Sequence, residues 1–210
     1  MMWHVSHFLE PDQSLPVIKS EHEQILRSRA YPTAQVELII DAQTFRNSLS
    51  TELAYSAGLR AHELLTLLPI TERTADKRPA LNTKFAGREG VRYTVQGKGG
   101  LVREVLIPEH LAQQLEAVRL DEPQRITDRR IYYQQYYAIN GGNRWSSSFT
   151  NASKRALGWS NGAHGVRHSY AQERMVELQV ICGLSREDAL ETVSQEMGHF
   201  RPSITEIYLR

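Results

Sequence analysis

His164-Gly165-Val166-Arg167-His168-Ser169-Tyr170-Ala171 is the stretch that, with its neighbours on both sides, decides the fold of this 210-residue chain. Downstream lie Gly198-His199 and Tyr208, and upstream lie Gly97-Lys98-Gly99-Gly100 and Gly58-Leu59-Arg60-Ala61-His62-Glu63-Leu64. No single piece is rare, so the prediction depends on their order. Two arginines, a lysine, histidines and a tyrosine form a set suited to holding an anionic phosphate while a phenol oxygen attacks it.

The bulk composition is that of an ordinary globular protein. Hydrophobic residues make up 40% of the chain and charged residues 23%, with a net charge of +1, values typical of soluble domains. No apolar run approaches 18 residues, and the N-terminus lacks the pattern of a secretory signal. Cys182 is the single cysteine, which excludes an internal disulfide, and its apolar neighbours predict a small core residue. We therefore expect a cytoplasmic protein with no membrane partner.

The distribution of charge says more than its sum. Between Arg73 and Arg103 the acids are Asp76 and Glu89 alone, against eight basic residues. A segment of this kind is suited to following a phosphate backbone, although a solvated loop and hairpin would look the same. The candidate DNA contacts in it are Lys84, Arg88, Arg92 and Arg103.

The hydrophobic pattern predicts a mainly helical α+β domain with a small antiparallel sheet over residues 41–210. Residues 1–40 show no clear period, contain three prolines and predict an N-terminal segment or linker remnant, with one helix over Glu21–Arg29. Gly58, Gly158 and Gly183 are placed as helix terminators.

A hairpin pattern and a helix-capping pattern predict where some of the candidate residues lie in the fold. Val91, Tyr93 and Val95 alternate with polar residues, and Val102–Ile107 reads as the return strand, so Lys98 falls at a hairpin tip. Ala61–Leu68 is predicted as a short helix. Further along, Ser185 with Asp188 resembles a capping box that opens a helix, and a last short helix is expected to carry Tyr208.

Residues 121–143 predict a long connection. It carries the tyrosines Tyr132, Tyr133, Tyr136 and Tyr137. Partly buried helix packing is the favoured interpretation of these rings, with base stacking as the alternative.

The chemistry follows from the residue types. The guanidinium groups of Arg60 and Arg167 match two phosphate oxygens and neutralise them without a metal. An attacking tyrosine must lose its proton, which His164 or His168 is suited to accept. A lysine at a hairpin tip is suited to protonate a leaving 5′ oxygen. Alone, each residue has a plainer interpretation, such as a surface ion pair of Arg60 with Glu63, an exposed turn lysine or a packed terminal aromatic.

A metal site is the competing interpretation. His164 and His168 are four residues apart, and His199 is a third candidate ligand. Arg167 lies between the two histidines and would repel a cation, and no HExxH, Walker-type or GxSxG motif is present. We therefore predict neither a metal nor a cofactor.

In their order, these blocks resemble the catalytic domain of tyrosine site-specific recombinases, the phage-integrase family, from about Thr51 to Tyr208. Further matching blocks follow the hairpin, namely Met197-Gly198-His199-Phe200, Ser203-Ile204-Thr205 and Ile207-Tyr208. Tyr208 follows His199 by nine residues, and each block is weak alone. The resemblance implies double-stranded DNA as the partner and a homo-oligomer, a tetramer, assembled on it.

The resemblance also implies a role for each matching residue. Arg60 and Arg167 would bind the scissile phosphate, with Glu63 supporting them. Lys98 would be the general acid and His164 would help to accept the tyrosine proton. His199 would donate a hydrogen bond to a phosphate oxygen. Tyr208 would be the nucleophile that forms a 3′-phosphotyrosyl link, while His168 is assigned to structure.

Some features depart from the family pattern. Residues 71–90 are expected to be an insertion that touches DNA or a partner subunit, or is a plain loop. The chain ends two residues after Tyr208 and its N-terminal region is short, which predicts a catalytic fragment of a longer integrase or a divergent short relative.

The predicted function is integration or excision of a mobile element, with neither metal nor ATP. The alternatives are relaxation like that of a type IB topoisomerase, a DNA-binding module that has lost turnover and, more remotely, a metal-dependent hydrolase.

Overall fold

A computed structural model describes residues 28–97 and 99–210, which form seven α-helices, two 3₁₀ helices and five strands. The α-helices are α1 (Thr33–Asp41), α2 (Phe45–Ala57), α3 (Glu109–Glu116), α4 (Gly142–Leu157), α5 (Gly165–Val180), α6 (Arg186–Glu196) and α7 (Pro202–Glu206). The strands are β1 (Leu68–Pro69), β2 (Val91–Gln96), β3 (Val102–Ile107), β4 (Arg119–Asp128) and β5 (Ile131–Tyr137). The 3₁₀ helices are Glu63–Thr66 and Ile207–Leu209.

The predicted hairpin is confirmed as β2 and β3, which pair in antiparallel register from Val91 with Ile107 to Gln96 with Val102. The short strand β1 pairs with the other edge of β2, which gives a three-stranded sheet in the order β1-β2-β3. The hairpin turn therefore lies between Gln96 and Val102. Residue 98 lies outside the described part of the chain.

The helix ends follow the predicted local signals. Gly58 ends α2 and Gly158 ends α4, each with a positive φ, 59° and 81°, which costs a glycine little because it has no Cβ. At the start of α6, Ser185 accepts a hydrogen bond from the backbone N–H of Asp188, as the capping-box pattern predicts. The turn at Gly58 places Arg60 just before the 3₁₀ helix that starts at Glu63, whereas a longer helix over Ala61–Leu68 was expected.

The hydrophobic core has two parts. One is built around the sheet and helices α1 to α4, and the other lies between α5, α6 and the C-terminal turn that carries Tyr208. Val36 and Ile39 of α1 are fully buried in the first part, so residues 33–41 pack onto the predicted domain. The division at residues 40 and 41 stays a prediction, and the helix expected from Glu21 falls mostly outside the described residues.

The mainly helical α+β class is confirmed, but the expected connection at residues 121–143 is wrong. Strands β4 and β5 form a second, two-stranded antiparallel sheet there, joined at Arg129 and Arg130. Tyr132, Tyr133 and Tyr137 therefore lie on a strand and not among helices. Tyr137 is buried against the first core, whereas Tyr132 is exposed.

Candidate active site

Glu63 is the centre of the candidate site. Its side chain is fully buried, and it accepts hydrogen bonds from the backbone N–H and the Nη1 of Arg60, both at 2.8 Å. Nη2 of Arg103 donates to it at 2.7 Å, and Nη1 of Arg167 lies 3.9 Å away. Burial alone would raise the pKa of this carboxyl, but the charges of Arg103, Arg167 and Arg60 outweigh burial and hold the pKa far below its usual range. Glu63 is therefore a carboxylate at neutral pH.

The charges around Glu63 do not balance. Three arginines contact one carboxylate, so three positive charges minus one negative charge leave an excess of two. The Arg60 side chain is 27% exposed, which opens this excess charge to solvent, while Arg167 is buried. Burial and the charge of Arg60 lower the pKa of Arg167 to about 10. A permanently positive, partly desolvated cluster of this kind is suited to bind an anion.

Arg167 projects from the first turn of α5 and reaches two turns that carry other candidate residues. Nη1 donates to the Gly58 carbonyl, just before Arg60, and Nη2 donates to the Met197 carbonyl at 3.2 Å. Nη2 also lies 3.1 Å from Nε2 of His199. The Nε of Arg167 is buried and has no hydrogen-bond partner among the described residues.

The protonation state of His199 follows from its partners. An arginine can only donate, so Nε2 of His199 accepts the bond from Arg167. In the neutral ring the proton is then on Nδ1, which lies 3.0 Å from Oγ1 of Thr205. Desolvation and the charge of Arg167 lower the pKa of His199 to about 3. His199 is therefore neutral at pH 7 in this arrangement.

Tyr208 points into the same cluster from the C-terminal 3₁₀ helix. Its hydroxyl lies 3.1 Å from Nε2 of His164. Its ring centroid is 4.7 Å from that of His168 and 4.9 Å from that of His199, and the guanidinium carbon of Arg167 lies 5.6 Å from it. The side chain is 9% exposed. A single chain thus brings its own Tyr208 close to its own Arg167.

Both histidines on the Tyr208 side are neutral at pH 7. His164 keeps part of its surface open to solvent, but desolvation of its ring and the charge of Arg167 lower its pKa to about 4. His168 is buried, and desolvation followed by the charge of Arg29 lowers its pKa to about 4. A neutral His164 ring can accept a hydrogen bond, and then a proton, from the Tyr208 hydroxyl.

Arg103 requires a correction, because its predicted place on a DNA-facing surface is wrong. Arg103 is only 4% exposed. It donates one hydrogen bond to the Glu63 carboxylate and another, at 2.5 Å, to the backbone carbonyl of Glu196 at the end of α6. A Cβ on Gly198 would lie 2.5 Å from Cδ of Arg103, so the glycine before His199 makes room for it. The strand alternation could have revealed this position, since Arg103 shares a face with the buried Val105 and Ile107.

The other three predicted DNA contacts differ in exposure. Arg88 is 27% exposed and pairs with Glu177 at 2.7 Å, and Lys84 is 15% exposed and lies 3.7 Å from Glu104. Arg92 is 57% exposed and lies 3.6 Å from Glu104. Arg92 is therefore the one of the three that mostly faces solvent, and a DNA contact by any of them stays a prediction.

Lys98 belongs to the predicted set but lies outside the described residues, so its side chain has no described position. Its neighbours set the turn, since the Gly97 N–H donates to the Leu101 carbonyl at 2.7 Å. Within residues 28–97 and 99–210 no group of three or more His, Cys, Asp or Glu side chains is arranged to hold a metal ion. No helix in this part of the chain combines the length and apolar composition needed to cross a bilayer.

Solved structures of recombinases resemble this chain. A structure of XerA recombinase matches this chain with a TM-score of 0.56 at 15% sequence identity. The match covers 93% of this chain and 62% of the XerA chain. XerH site-specific recombinase bound to a palindromic difH substrate, in a post-cleavage complex, matches 87% with a TM-score of 0.53 at 16% identity and 49% of its own length. The Tn1549 transposon integrase in complex with a circular intermediate DNA matches 90% with a TM-score of 0.52 at 13% identity and 63% of its own length.

These matches define the fold. The chain has the fold of a tyrosine recombinase catalytic domain, and it spans about half to two thirds of the length of these solved chains. No family model and no curated protein sequence matches it.

Proposed function

We propose that this protein is a site-specific recombinase that cuts and rejoins double-stranded DNA with Tyr208 as the nucleophile. The observation that carries the proposal is the Tyr208 hydroxyl, 3.1 Å from His164, beside an arginine cluster with two excess positive charges. A phosphodiester resists attack because its anionic oxygens repel the nucleophile, so positioning and neutralisation supply most of the catalysis.

Arg60 and Arg167 bind the scissile phosphate in this proposal. Arg60 is the partly exposed member of the cluster, and Arg167 is buried, with an Nε that has no hydrogen-bond partner among the described residues. Glu63 holds Arg60 by two hydrogen bonds and so fixes the direction of its guanidinium. For His199 to donate to a phosphate oxygen through Nε2, its present bond to Arg167 must be replaced and that nitrogen must carry the proton.

In the chemical step, the Tyr208 oxygen forms a bond to phosphorus and the bond from phosphorus to the 5′ oxygen breaks. The phenol proton passes to Nε2 of His164, and Lys98 protonates the departing 5′ oxygen. The product is a 3′-phosphotyrosyl link and a free 5′ hydroxyl. Attack of a 5′ hydroxyl on this link reverses the step, so rejoining requires no external energy source. Because Tyr208 lies close to Arg167 of its own chain, the proposal includes cleavage in cis.

The test is capture of a covalent protein–DNA adduct. The protein is mixed, without divalent metal, with nicked duplexes from a randomised pool, and complexes stable to denaturant are collected. We expect adduct with the parent and with Tyr132→Phe, an exposed tyrosine outside the cluster, and none with Tyr208→Phe. Adduct that persists in Tyr208→Phe would overturn the nucleophile. Binding by the parent without adduct would favour a DNA-binding module.

A tetramer on DNA remains part of the proposal. Its test is the mass of the trapped complex on duplexes that carry two captured sites, where paired synapsed duplexes with four protomers are expected.

A further inference from the structure

The segment at residues 71–90 is tied to strand β3. The Asp76 N–H donates to the Val102 carbonyl at 3.0 Å, and the Asp76 Oδ2 accepts a hydrogen bond from the Val102 N–H at 2.9 Å. These two bonds cover the edge of β3 that does not pair with β2. The segment is therefore joined to the strand that carries Arg103.

The same segment is also tied to the second half of α6. Three of its residues bond to three side chains of that helix. The pairs are the Leu81 N–H with Gln195 Oε1 at 2.9 Å, Thr83 Oγ1 with Thr192 Oγ1 at 2.7 Å, and the Phe85 N–H with Glu196 Oε1 at 2.8 Å. Helix α6 ends at Glu196, directly before the turn at residues 197–200 that carries His199. The segment therefore holds the helix end from which this turn starts.

The turn itself ends in an unfavourable backbone conformation. Phe200 is half-buried and has a φ of 54°, in the left-handed region that a bulky side chain rarely adopts. Such a conformation persists only where the surrounding structure imposes it. The guanidinium carbon of Arg78 lies 4.9 Å from the centroid of the Phe200 ring, and both residues line a cavity of about 300 Å³ beside the segment. Segment 71–90 thus contacts the residue that directly follows His199.

The turn supplies acceptors to two arginines of the candidate site. The Met197 carbonyl and Nε2 of His199 both accept from Nη2 of Arg167, at 3.2 and 3.1 Å. The Glu196 carbonyl accepts from Nη1 of Arg103. A shift of this turn would therefore move His199 relative to Arg167.

We propose that segment 71–90 is a positioning element for His199. Its bonds to α6 and the contact of Arg78 with Phe200 fix the turn, so that Nε2 of His199 faces Arg167. The catalytic consequence rests on the proposed function, in which His199 contacts a phosphate oxygen. A misplacement of about 1 Å in such a group costs on the order of 10²-fold in rate.

The variants remove two of these contacts, singly and together. Arg78→Gln removes the cation from the Phe200 ring, and Arg78→Lys keeps it. Gln195→Leu removes the acceptor of the Leu81 N–H with little change in volume. Lys77→Gln is the matched control, because Lys77 is adjacent to Arg78 and equally exposed, but Arg78 is the cation that the structure places over the Phe200 ring.

The first measurement needs no DNA. The ¹⁵N shifts of the histidine rings report which nitrogen carries the proton, and His199→Gln identifies the signals of this ring. We expect the parent His199 to be protonated on Nδ1 alone, because Nε2 accepts from Arg167. Arg78→Gln/Gln195→Leu should move these signals toward the average of the two tautomers, whereas Arg78→Lys and Lys77→Gln should keep them. A contact that only stabilised the fold would lower the free energy of unfolding and leave the tautomer unchanged.

The second measurement separates positioning from DNA binding. At saturating nicked duplex, Arg78→Gln/Gln195→Leu should slow adduct formation about tenfold, with DNA affinity unchanged in the Tyr208→Phe background. Loss of a phosphate contact would instead weaken binding and lower the salt dependence by about one counterion. If Arg78→Gln weakened binding in this way and Lys77→Gln did not, Arg78 would be a DNA contact and the inference would be wrong.

The outcomes distinguish this inference from the proposed function. Altered His199 signals in a protein that forms no adduct keep segment 71–90 as the element that positions His199 and remove the cleavage function. Unchanged signals in the double variant remove the inference and leave the proposed function to the adduct test. Altered signals with adduct formation at the parent rate would also overturn the inference, because the position of His199 would then not affect the reaction.

Discussion

Glu63 and Glu196 are both buried carboxylates that bind arginine, but the charges around them differ. Glu63 contacts three arginines. Glu196 instead receives two bonds from Arg174, at 3.0 Å each, one from the Tyr170 hydroxyl at 2.8 Å and one from the Phe85 N–H at 2.8 Å. Arg174 and Arg88 then face two acids, Glu196 and Glu177. The second network is neutral, whereas the first keeps an excess of two positive charges.

The pKa values of the two buried arginines, Arg174 and Arg167, are shifted in opposite directions by these networks. Burial alone would lower the pKa of Arg174, but its hydrogen bonds to Glu196 and the charge of that carboxylate outweigh burial and raise the pKa. For Arg167, burial and the charge of Arg60 lower the pKa to about 10. The fold therefore favours the charge of Arg174 and disfavours the charge of Arg167. Groups with perturbed pKa values are enriched at functional sites, which agrees with the role proposed for Arg167 in binding the phosphate.

The largest expected effect is on stability, at the balanced network. Arg174→Met should lower the free energy of unfolding by about 3–5 kcal/mol, because it leaves Glu196 buried without its cation. The measurement is urea denaturation. The control is Arg186→Met, whose pair with Glu206 is exposed at 62% and 47% and should contribute less than about 1 kcal/mol. Equal losses in the two variants would contradict the structural role of the Glu196 network.

The next effect is on chemistry, at the unbalanced network. Arg167→Met should slow adduct formation by about 10²–10³-fold, the usual effect of removing one donor to a developing anion. Its unfolding free energy should fall much less than that of Arg174→Met, because the charge removed is one that the fold disfavours. Single-turnover trapping and urea denaturation measure the two quantities. If Arg167→Met lost as much unfolding free energy as Arg174→Met, both arginines would be structural, and this prediction would be wrong.

The smallest expected effect is a pH dependence of stability from the histidines beside Tyr208 and Arg167. The pKa of His168 is lowered to about 4 and that of His199 to about 3, against about 6.5 in an unfolded chain. Between pH 6.5 and 4 the unfolded state therefore binds more protons than the folded state, so stability should fall as the pH falls. Folding also lowers the pKa of Glu63, and to a lower pH than the histidine values. The stability that this carboxylate contributes is therefore lost only at still lower pH.

This titration can be assigned to a residue. Parent and His168→Gln are compared by urea denaturation at several pH values, and the parent should lose on the order of 1–2 kcal/mol more across this window than the variant. Parallel profiles would show that His168 is not held neutral by the fold.

The β2–β3 hairpin and the residues of the candidate cluster could be predicted from the sequence. Strict alternation from Val91 to Val95 and the glycines around residue 98 predicted the hairpin, and it is present. The β4–β5 hairpin was missed for a physical reason. Strand β4 is exposed or half-buried along its whole length, so it shows no alternation, and its turn uses Arg129 and Arg130 at positive φ where glycine or asparagine is usual.

The burial of charged side chains was the other feature that the sequence did not predict. The sequence placed Arg60, His164, Arg167, His199 and Tyr208 in one set, and the fold brings them together. Arg103 and the Glu196 network were not expected, because arginine and glutamate are rarely fully buried. Their partners lie far away in sequence, as Arg103 does from Glu63, and pattern reasoning within a window does not reach that far.

The nucleophile is identified by finding the residue that carries the DNA. Trapped adduct is digested with protease and nuclease, and the modified peptide is sequenced by mass spectrometry. We expect a single phosphotyrosyl modification at Tyr208, formed without metal and lost in Tyr208→Phe. A modification at another residue, or cleavage that leaves no protein-bound DNA and stops when a chelator is added, would contradict it.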